Sequence, residues 1–143
     1  ICPTGNFSGK KENTLTPDDW KIVQTKMKKN PHIRSDWTIN FSMKVECPGG
    51  REKVAITPYG EVMGCGMNYV SFGNIREEPL KNIWQRMSNF PHFKKRSTDC
   101  LIGADQEYID EYLIPLSEYQ SLPIRINEHP KNPITFQELD EGH

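Results

Sequence analysis

The chain has 143 residues, with 18 Lys and Arg against 19 Asp and Glu and a formal net charge of −1. Its hydrophobic content of 35%, with 11 Pro and 10 Gly, predicts a limited core and long loops in one domain or two small ones. Because no polycationic surface, bilayer-length apolar run or signal peptide is visible, we expect no nucleic-acid partner, no membrane and a cytoplasmic location.

The first predicted helix begins after Thr16, a capping residue followed by Pro17 and two acidic residues, and ends at Asn30-Pro31. Alternating apolar and β-forming residues then predict a strand over residues 37–45. A helix and one strand are too little α/β structure to stand alone. Since the chain also starts at Ile1 and not at Met, we expect a fragment that begins inside a larger protein.

A β-hairpin is predicted next, with strands at residues 53–57 and 61–65 joined by the turn Pro58-Tyr59-Gly60. Cys47 lies just before the first strand and Cys65 closes the second. Antiparallel strands bring their outer ends together, so the two thiols are expected to face a common point. That geometry suits a metal ion or an iron–sulfur cluster.

The rest of the chain is predicted to contain a loose stretch, two helices and a tail. The stretch covers residues 66–75, and the next helix begins at Glu78-Pro79 with apolar residues at helical spacing. A further helix is predicted over residues 105–113. From residue 121 onward, three prolines and an acidic terminus indicate an extended tail.

The four cysteines are Cys2, Cys47, Cys65 and Cys100. They allow two disulfides in a secreted domain, but their long spacings favour reduced thiolate ligands. Thiolates select zinc or iron–sulfur clusters. Structural zinc usually takes C-x-x-C pairs, which this chain lacks, whereas single ligands from separate loops suit a cluster.

The spacing Cys47, twelve residues, Gly60, four residues, Cys65 resembles the opening of the SPASM/Twitch pattern at the C-terminus of radical SAM enzymes. The segments around residues 54–62, 72–75 and 80–84 are similar to the same family. The resemblance covers residues 47 to about 115. It implies a β-hairpin and helices that hold an auxiliary [4Fe–4S] cluster through Cys47, Cys65 and Cys100.

The chain departs from the full SPASM pattern after Cys100, where the further cysteines of that pattern are missing. The resemblance therefore implies the one-cluster Twitch type. Three cysteines leave the fourth iron open to substrate, to a non-cysteine ligand such as His92 or His129, or to Cys2. Both histidines fit an ordinary surface role better than a ligand role.

The C-x3-C-x2-C motif that holds the catalytic cluster of radical SAM enzymes is absent from this sequence. The resemblance implies an α/β fragment: residues 1–46 as the end of a partial TIM-type barrel, 47–120 as the auxiliary-cluster domain and 121–143 as the tail. S-adenosylmethionine and a second [4Fe–4S] cluster are expected in the upstream barrel. The expected partners are that barrel and a peptide or small-molecule substrate.

The sequence supports two functions more strongly than the third interpretation, a secreted domain joined by disulfides. The leading one is the C-terminal part of a radical SAM enzyme, whose auxiliary cluster relays an electron or binds substrate. The alternative is a non-catalytic interaction module stapled by zinc. The sequence leaves open whether this chain is itself an enzyme, since no catalytic residue can be assigned in it.

Overall fold

The computed structural model describes residues 16–33, 46–95, 97 and 100–142. Helix α1 spans Pro17–Lys29 and confirms the first predicted helix. Thr16 Oγ1 accepts the Asp19 N–H at 3.2 Å, and the Asp19 carboxylate accepts the Thr16 N–H at 3.0 Å. This reciprocal capping box satisfies two backbone donors at the start of the helix. The predicted strand at residues 37–45 and Cys2 lie outside the described residues.

A mixed four-stranded sheet organises the second half of the described chain, in the order β1–β2–β3–β4. Strands β1 (Ala55–Ile56) and β2 (Glu61–Met63) form the predicted hairpin, although both are shorter than predicted. Strand β3 (Val70–Asn74) pairs antiparallel with β2. Strand β4 (Ile124–Arg125) pairs parallel with β3.

Strand β3 was predicted as loose structure, and this prediction was wrong. All five of its residues are buried, although Val70, Ser71 and Phe72 alternate as in a strand with one exposed face. Gly73 and Asn74, residue types that are depleted in strands, complete it. Its polar members make specific contacts. Ser71 Oγ donates to Glu61 on β2 at 2.6 Å, and Asn74 Nδ2 donates to the same carboxylate at 2.8 Å.

The helices between β3 and β4 supply a large part of the core. They are α2 (Leu80–Asn89), α3 (Pro91–Lys94) and α4 (Gln106–Tyr108), followed by a π-helical turn at Ile109–Leu113 and a 3-10 turn at Ile114–Glu118. Phe90, between α2 and α3, is fully buried, with its ring centroid 5.1 Å from that of Phe72 and 5.2 Å from that of Phe93. This aromatic group joins β3 to the helices.

The last segment differs from the predicted extended tail. After β4 the chain makes a 3-10 turn at Ile126–Glu128 and ends in helix α5 (Phe136–Glu141), which packs against α2. Arg86 on α2, only 3% exposed, donates to Asp140 on α5 at 3.0 Å and to Glu78 at 2.6 Å. The segment is therefore held in the fold by a buried arginine and a sheet strand, which proline content alone does not reveal.

The described chain is a small α/β unit with a mixed sheet and several helices. The barrel remnant predicted for residues 1–46 and the domain boundaries at 47 and 121 stay predictions. Among the helices of the described residues, none has the length and apolar character required for crossing a membrane.

Candidate functional site

The three described cysteines line one pocket, although they come from three separate segments. Cys47 precedes β1, Cys65 follows β2 and Cys100 follows α3. All three are free thiols, so no disulfide joins them. The pocket contains about 470 Å³ of free space including its open mouth. Its other walls include Lys53, Met67, Asn68, Phe93, Leu101 and Ile102.

Backbone hydrogen bonds hold the cysteine segments together. The Gly50 N–H, three residues after Cys47, donates to the Gly64 carbonyl beside Cys65 at 3.0 Å. The Cys47 N–H donates to the Ser97 carbonyl at 2.9 Å, which joins the hairpin to the chain that leads to Cys100. The hairpin therefore brings Cys47 and Cys65 to one end, as predicted. The hydrogen bond to Ser97 links this end to the segment that carries Cys100.

Glycine is required in this region because chains and rings approach closely. Gly50 has φ +74°, and a side chain on it would overlap the ring of Phe93. A Cβ on Gly49 would lie 3.2 Å from the Gly64 carbonyl oxygen and 3.6 Å from Cys47 Sγ. These contacts show that turn geometry and close packing require glycine at both positions.

Sulfur-directed N–H groups come from residues that the sequence analysis did not single out. The backbone N–H groups of Met67 and Asn68 lower the pKa of Cys65. Those of Ile102 and Gly103 lower the pKa of Cys100. In both cases these N–H groups lie two and three residues after the cysteine. A tight turn after each cysteine was therefore the sequence signal that could have identified them. Such donors stabilise sulfur that carries negative charge.

The thiols are costly to ionise in the absence of a cation. Burial raises the pKa of Cys65, and the neighbouring Cys47 raises it further, against the effect of the two N–H donors and Lys53. Burial raises the pKa of Cys100 to about 12, with Cys47 and Cys65 adding to the shift. Cys65 thus experiences the charge of Cys47, and Cys100 experiences the charge of both. Thiolates gathered in this way are stabilised by a bound cationic metal, which also lowers their pKa.

The donor set consists of three thiols from separate segments. Among the described residues, no group of three or more His, Cys, Asp or Glu side chains is arranged to hold a metal ion. Tetrahedral zinc at about 2.3 Å from each sulfur would require the thiols to be in near contact. Three thiols around a larger pocket, with N–H donors and apolar walls, are compatible with an iron–sulfur cluster held at its corners.

Neither histidine considered as a fourth ligand lines this pocket. His129 is 2% exposed, which makes the prediction of a surface residue wrong. Its Nδ1 accepts the Asn132 N–H at 3.0 Å, so Nε2 carries the proton and donates to the Tyr112 carbonyl at 2.9 Å. His92 lies against the rings of Tyr108 and Tyr112, at centroid distances of 5.1 and 5.2 Å. Both imidazoles therefore belong to the aromatic packing.

The fold brings three free thiols to one pocket, and thiolates are ligands that suit a soft metal centre. Residues 47–102 match the family model described as SPASM, an iron-sulfur cluster-binding domain. The match begins at Cys47 and ends two residues after Cys100, so it contains all three pocket thiols and confirms the resemblance over that range. No curated protein matches the chain. No solved structure matches it either.

Proposed function

We propose that this chain binds one auxiliary [4Fe–4S] cluster through Cys47, Cys65 and Cys100 and forms the C-terminal part of a radical SAM enzyme. The observation that carries the proposal is the meeting of three free thiols in one pocket. The pocket lies within the segment that matches an iron–sulfur domain. Single thiols from three separate segments, without a C-x-x-C pair, favour the cluster over zinc.

The residues around the thiols support redox or substrate-binding chemistry at such a site. A bound cluster supplies one-electron transfer, or an iron that accepts a ligand atom. The backbone N–H groups of Met67, Asn68, Ile102 and Gly103 donate to the cysteine sulfurs and favour the more negative, reduced form. Phe93, Leu101 and Ile102 form apolar walls that limit the access of water.

The proposed parent enzyme extends beyond these residues. Its upstream barrel would hold S-adenosylmethionine and the catalytic cluster, and its substrate would be a peptide or a small metabolite. In this proposal three thiolates leave one corner of the auxiliary cluster without a cysteine from the described residues. That corner is the position for a substrate atom or a fourth ligand, and the auxiliary cluster serves to bind substrate or relay an electron there.

Anaerobic reconstitution of the full chain tests the proposal directly. We expect brown protein with about four irons and four sulfides per chain and a [4Fe–4S] Mössbauer spectrum. Cys65→Ala and Cys100→Ala should lose most of the iron, whereas Cys2→Ala serves as the matched thiol control and should retain it. Colourless protein with one zinc per chain would overturn the proposal in favour of a zinc-stapled interaction module.

A further inference from the structure

Asn68 is a buried amide in the wall of the cysteine pocket. It is 1% exposed and follows Cys65 by three residues. Its backbone N–H donates to the Cys65 carbonyl at 3.1 Å and also approaches the Cys65 sulfur. The side chain is therefore tied to the segment that carries one of the pocket thiols.

The two ends of the Asn68 amide have different partners. Its Oδ1 accepts the Val70 N–H at 3.3 Å and the Tyr108 hydroxyl at 2.9 Å. A backbone N–H can only donate, so the oxygen and not the nitrogen must face Val70. This fixes the amide orientation and leaves the Nδ2 group on the other side, where it makes no hydrogen bond to any residue that the structure describes.

The amide nitrogen carries two N–H donors. Because Asn68 lines the pocket of three thiols, the nearest chemistry that supplies an acceptor there is electron-rich sulfur. With both its acceptor positions occupied, Oδ1 is unavailable as an iron ligand, and the group that the residue offers to the pocket is a donor.

Tyr108 holds this amide from behind. It is fully buried, its ring stacks on Tyr112 with a centroid distance of 5.1 Å, and its edge meets Phe90 and His92. Burial raises the pKa of Tyr108, so its hydroxyl stays protonated and remains a donor to Asn68. The packing of the Tyr108 ring fixes the position of its hydroxyl group, and the hydrogen bond from that hydroxyl fixes the orientation of the Asn68 amide.

We infer that the Asn68 Nδ2 group donates a hydrogen bond to sulfur of the bound cluster, and that Tyr108 acts as a positioning residue for this bond. The inference rests on the proposed function and deepens it. Since the reduced cluster is more negative than the oxidised one, the added N–H···S bond favours reduction. The pair therefore raises the reduction potential of the cluster above that of the same thiolate site without it.

The test is an EPR-monitored redox titration of the reconstituted full chain and its Asn68→Leu variant. Leucine has a similar size and no donor. We expect a roughly tenfold smaller reduction constant, as for loss of a hydrogen bond to a charged group, and tenfold corresponds to about 59 mV for a one-electron couple. Deuterium ENDOR of the reduced protein in D2O should lose one exchangeable coupling. Tyr108→Phe should shift the potential in the same direction by less.

A matched control comes from Ser71→Ala on β3. It removes a buried side-chain hydrogen bond to Glu61 close to Asn68 in sequence, but Ser71 does not line the pocket. Its potential and ENDOR spectrum should equal those of the wild type. An equal shift in this control would overturn the inference, because the shift would then report general loosening of the strand.

The remaining outcomes separate the inference from the proposed function. A wild type that binds no cluster refutes the proposed function itself. A wild type with a full cluster, and an Asn68→Leu variant with full iron, the same potential and the same deuterium couplings, refutes only the role of Asn68. If Asn68→Leu fails to fold, Tyr108→Phe decides by its potential. Loss of the cluster from both variants would overturn the inference. That result would show that Asn68 and Tyr108 are required to form the pocket and do not adjust the reduction potential of a bound cluster.

Discussion

Gly64 and Gly66 flank Cys65, and the structure predicts opposite outcomes for replacing each of them by alanine. A Cβ on Gly64 would lie 2.5 Å from the Phe93 ring carbon Cζ and 3.2 Å from two more ring atoms. A Cβ on Gly66 would meet nothing nearer than Ala55 Cβ at 4.0 Å. Carbon atoms pack favourably at about 3.5–4.0 Å, so only the first methyl group overlaps its neighbour, by about 1 Å.

The Phe93 ring has little freedom to relieve this overlap. It is buried between Phe72 and Phe90, at centroid distances of 5.4 and 5.2 Å. Overpacking of this kind typically costs about 1–3 kcal/mol. By contrast, glycine-to-alanine replacement at a compatible position stabilises a protein by about 0.4–1 kcal/mol, because the unfolded chain loses freedom. Gly66 lacks a positive φ and has open space, so it meets that condition.

Chemical denaturation of the apo protein measures both effects, and iron content after reconstitution measures their consequence for the site. We expect Gly64→Ala to lower the free energy of unfolding and the iron content, since relief of the overlap moves the chain beside Cys65. Gly66→Ala should raise the free energy of unfolding slightly and retain the iron content. In a Phe93→Leu background the cost of Gly64→Ala should shrink, because the overlapping ring atoms are gone. Equal effects at the two glycines, or an unchanged cost in that background, would refute this account of the packing.

Three further predictions concern the frame around the pocket. Arg86→Met should lower the free energy of unfolding by about 3 kcal/mol, the low end for a broken buried ion pair because Asp140 and Glu78 keep some contact with water. Burial lowers the pKa of His129, so the unfolded chain binds more protons below about pH 6.5, and stability should fall on acidification through that pH, less steeply in His129→Gln. Gly60→Val should disrupt the hairpin turn, since Gly60 has φ +96° and its Cβ would overlap Asn74.

Each of these predictions has its own check, by denaturation for Arg86 and His129 and by iron content for Gly60. Lys95→Met breaks an ion pair whose side chains are 63% and 60% exposed and should change stability by less than about 1 kcal/mol; a similar loss in Arg86→Met would contradict the role of burial. For His129, parallel stability–pH curves of wild type and variant would show that this imidazole is not responsible. For Gly60, a variant with wild-type iron content would show that the turn does not set the meeting of Cys47 and Cys65.

Local signals predicted the parts of the fold that local physics determines. Thr16 with Asp19 marks a helix start by its capping chemistry, and the turn at Gly60 together with the spacing of Cys47 and Cys65 predicted the hairpin and its paired thiols. The third thiol was assigned through resemblance to a family pattern. The structure brings it to the same pocket.

Long-range contacts account for what the sequence did not reveal. Strand β3 is buried on both faces and ends in Gly73 and Asn74, and β4 pairs with it from more than fifty residues away. No local pattern indicates that pairing. Arg86 has no local sequence signal for burial, because its partners Glu78 and Asp140 are brought to it by the fold. Asn68 falls between recognisable motifs, and only the hydrogen bond from Tyr108, forty residues later, marks it as part of the site.

The parallel pairing of Val70 with Ile124 sets the smallest segment that can be produced by itself. Trimming the chain to residues 47–102, the range of the family match, would remove the neighbour of β3, the hydroxyl behind Asn68 and the carboxylate of Asp140 that pairs with Arg86. Such a truncated chain keeps the three pocket thiols and yet exposes an unpaired sheet edge that favours aggregation. An expression fragment designed around the cysteines therefore has to run through Glu141.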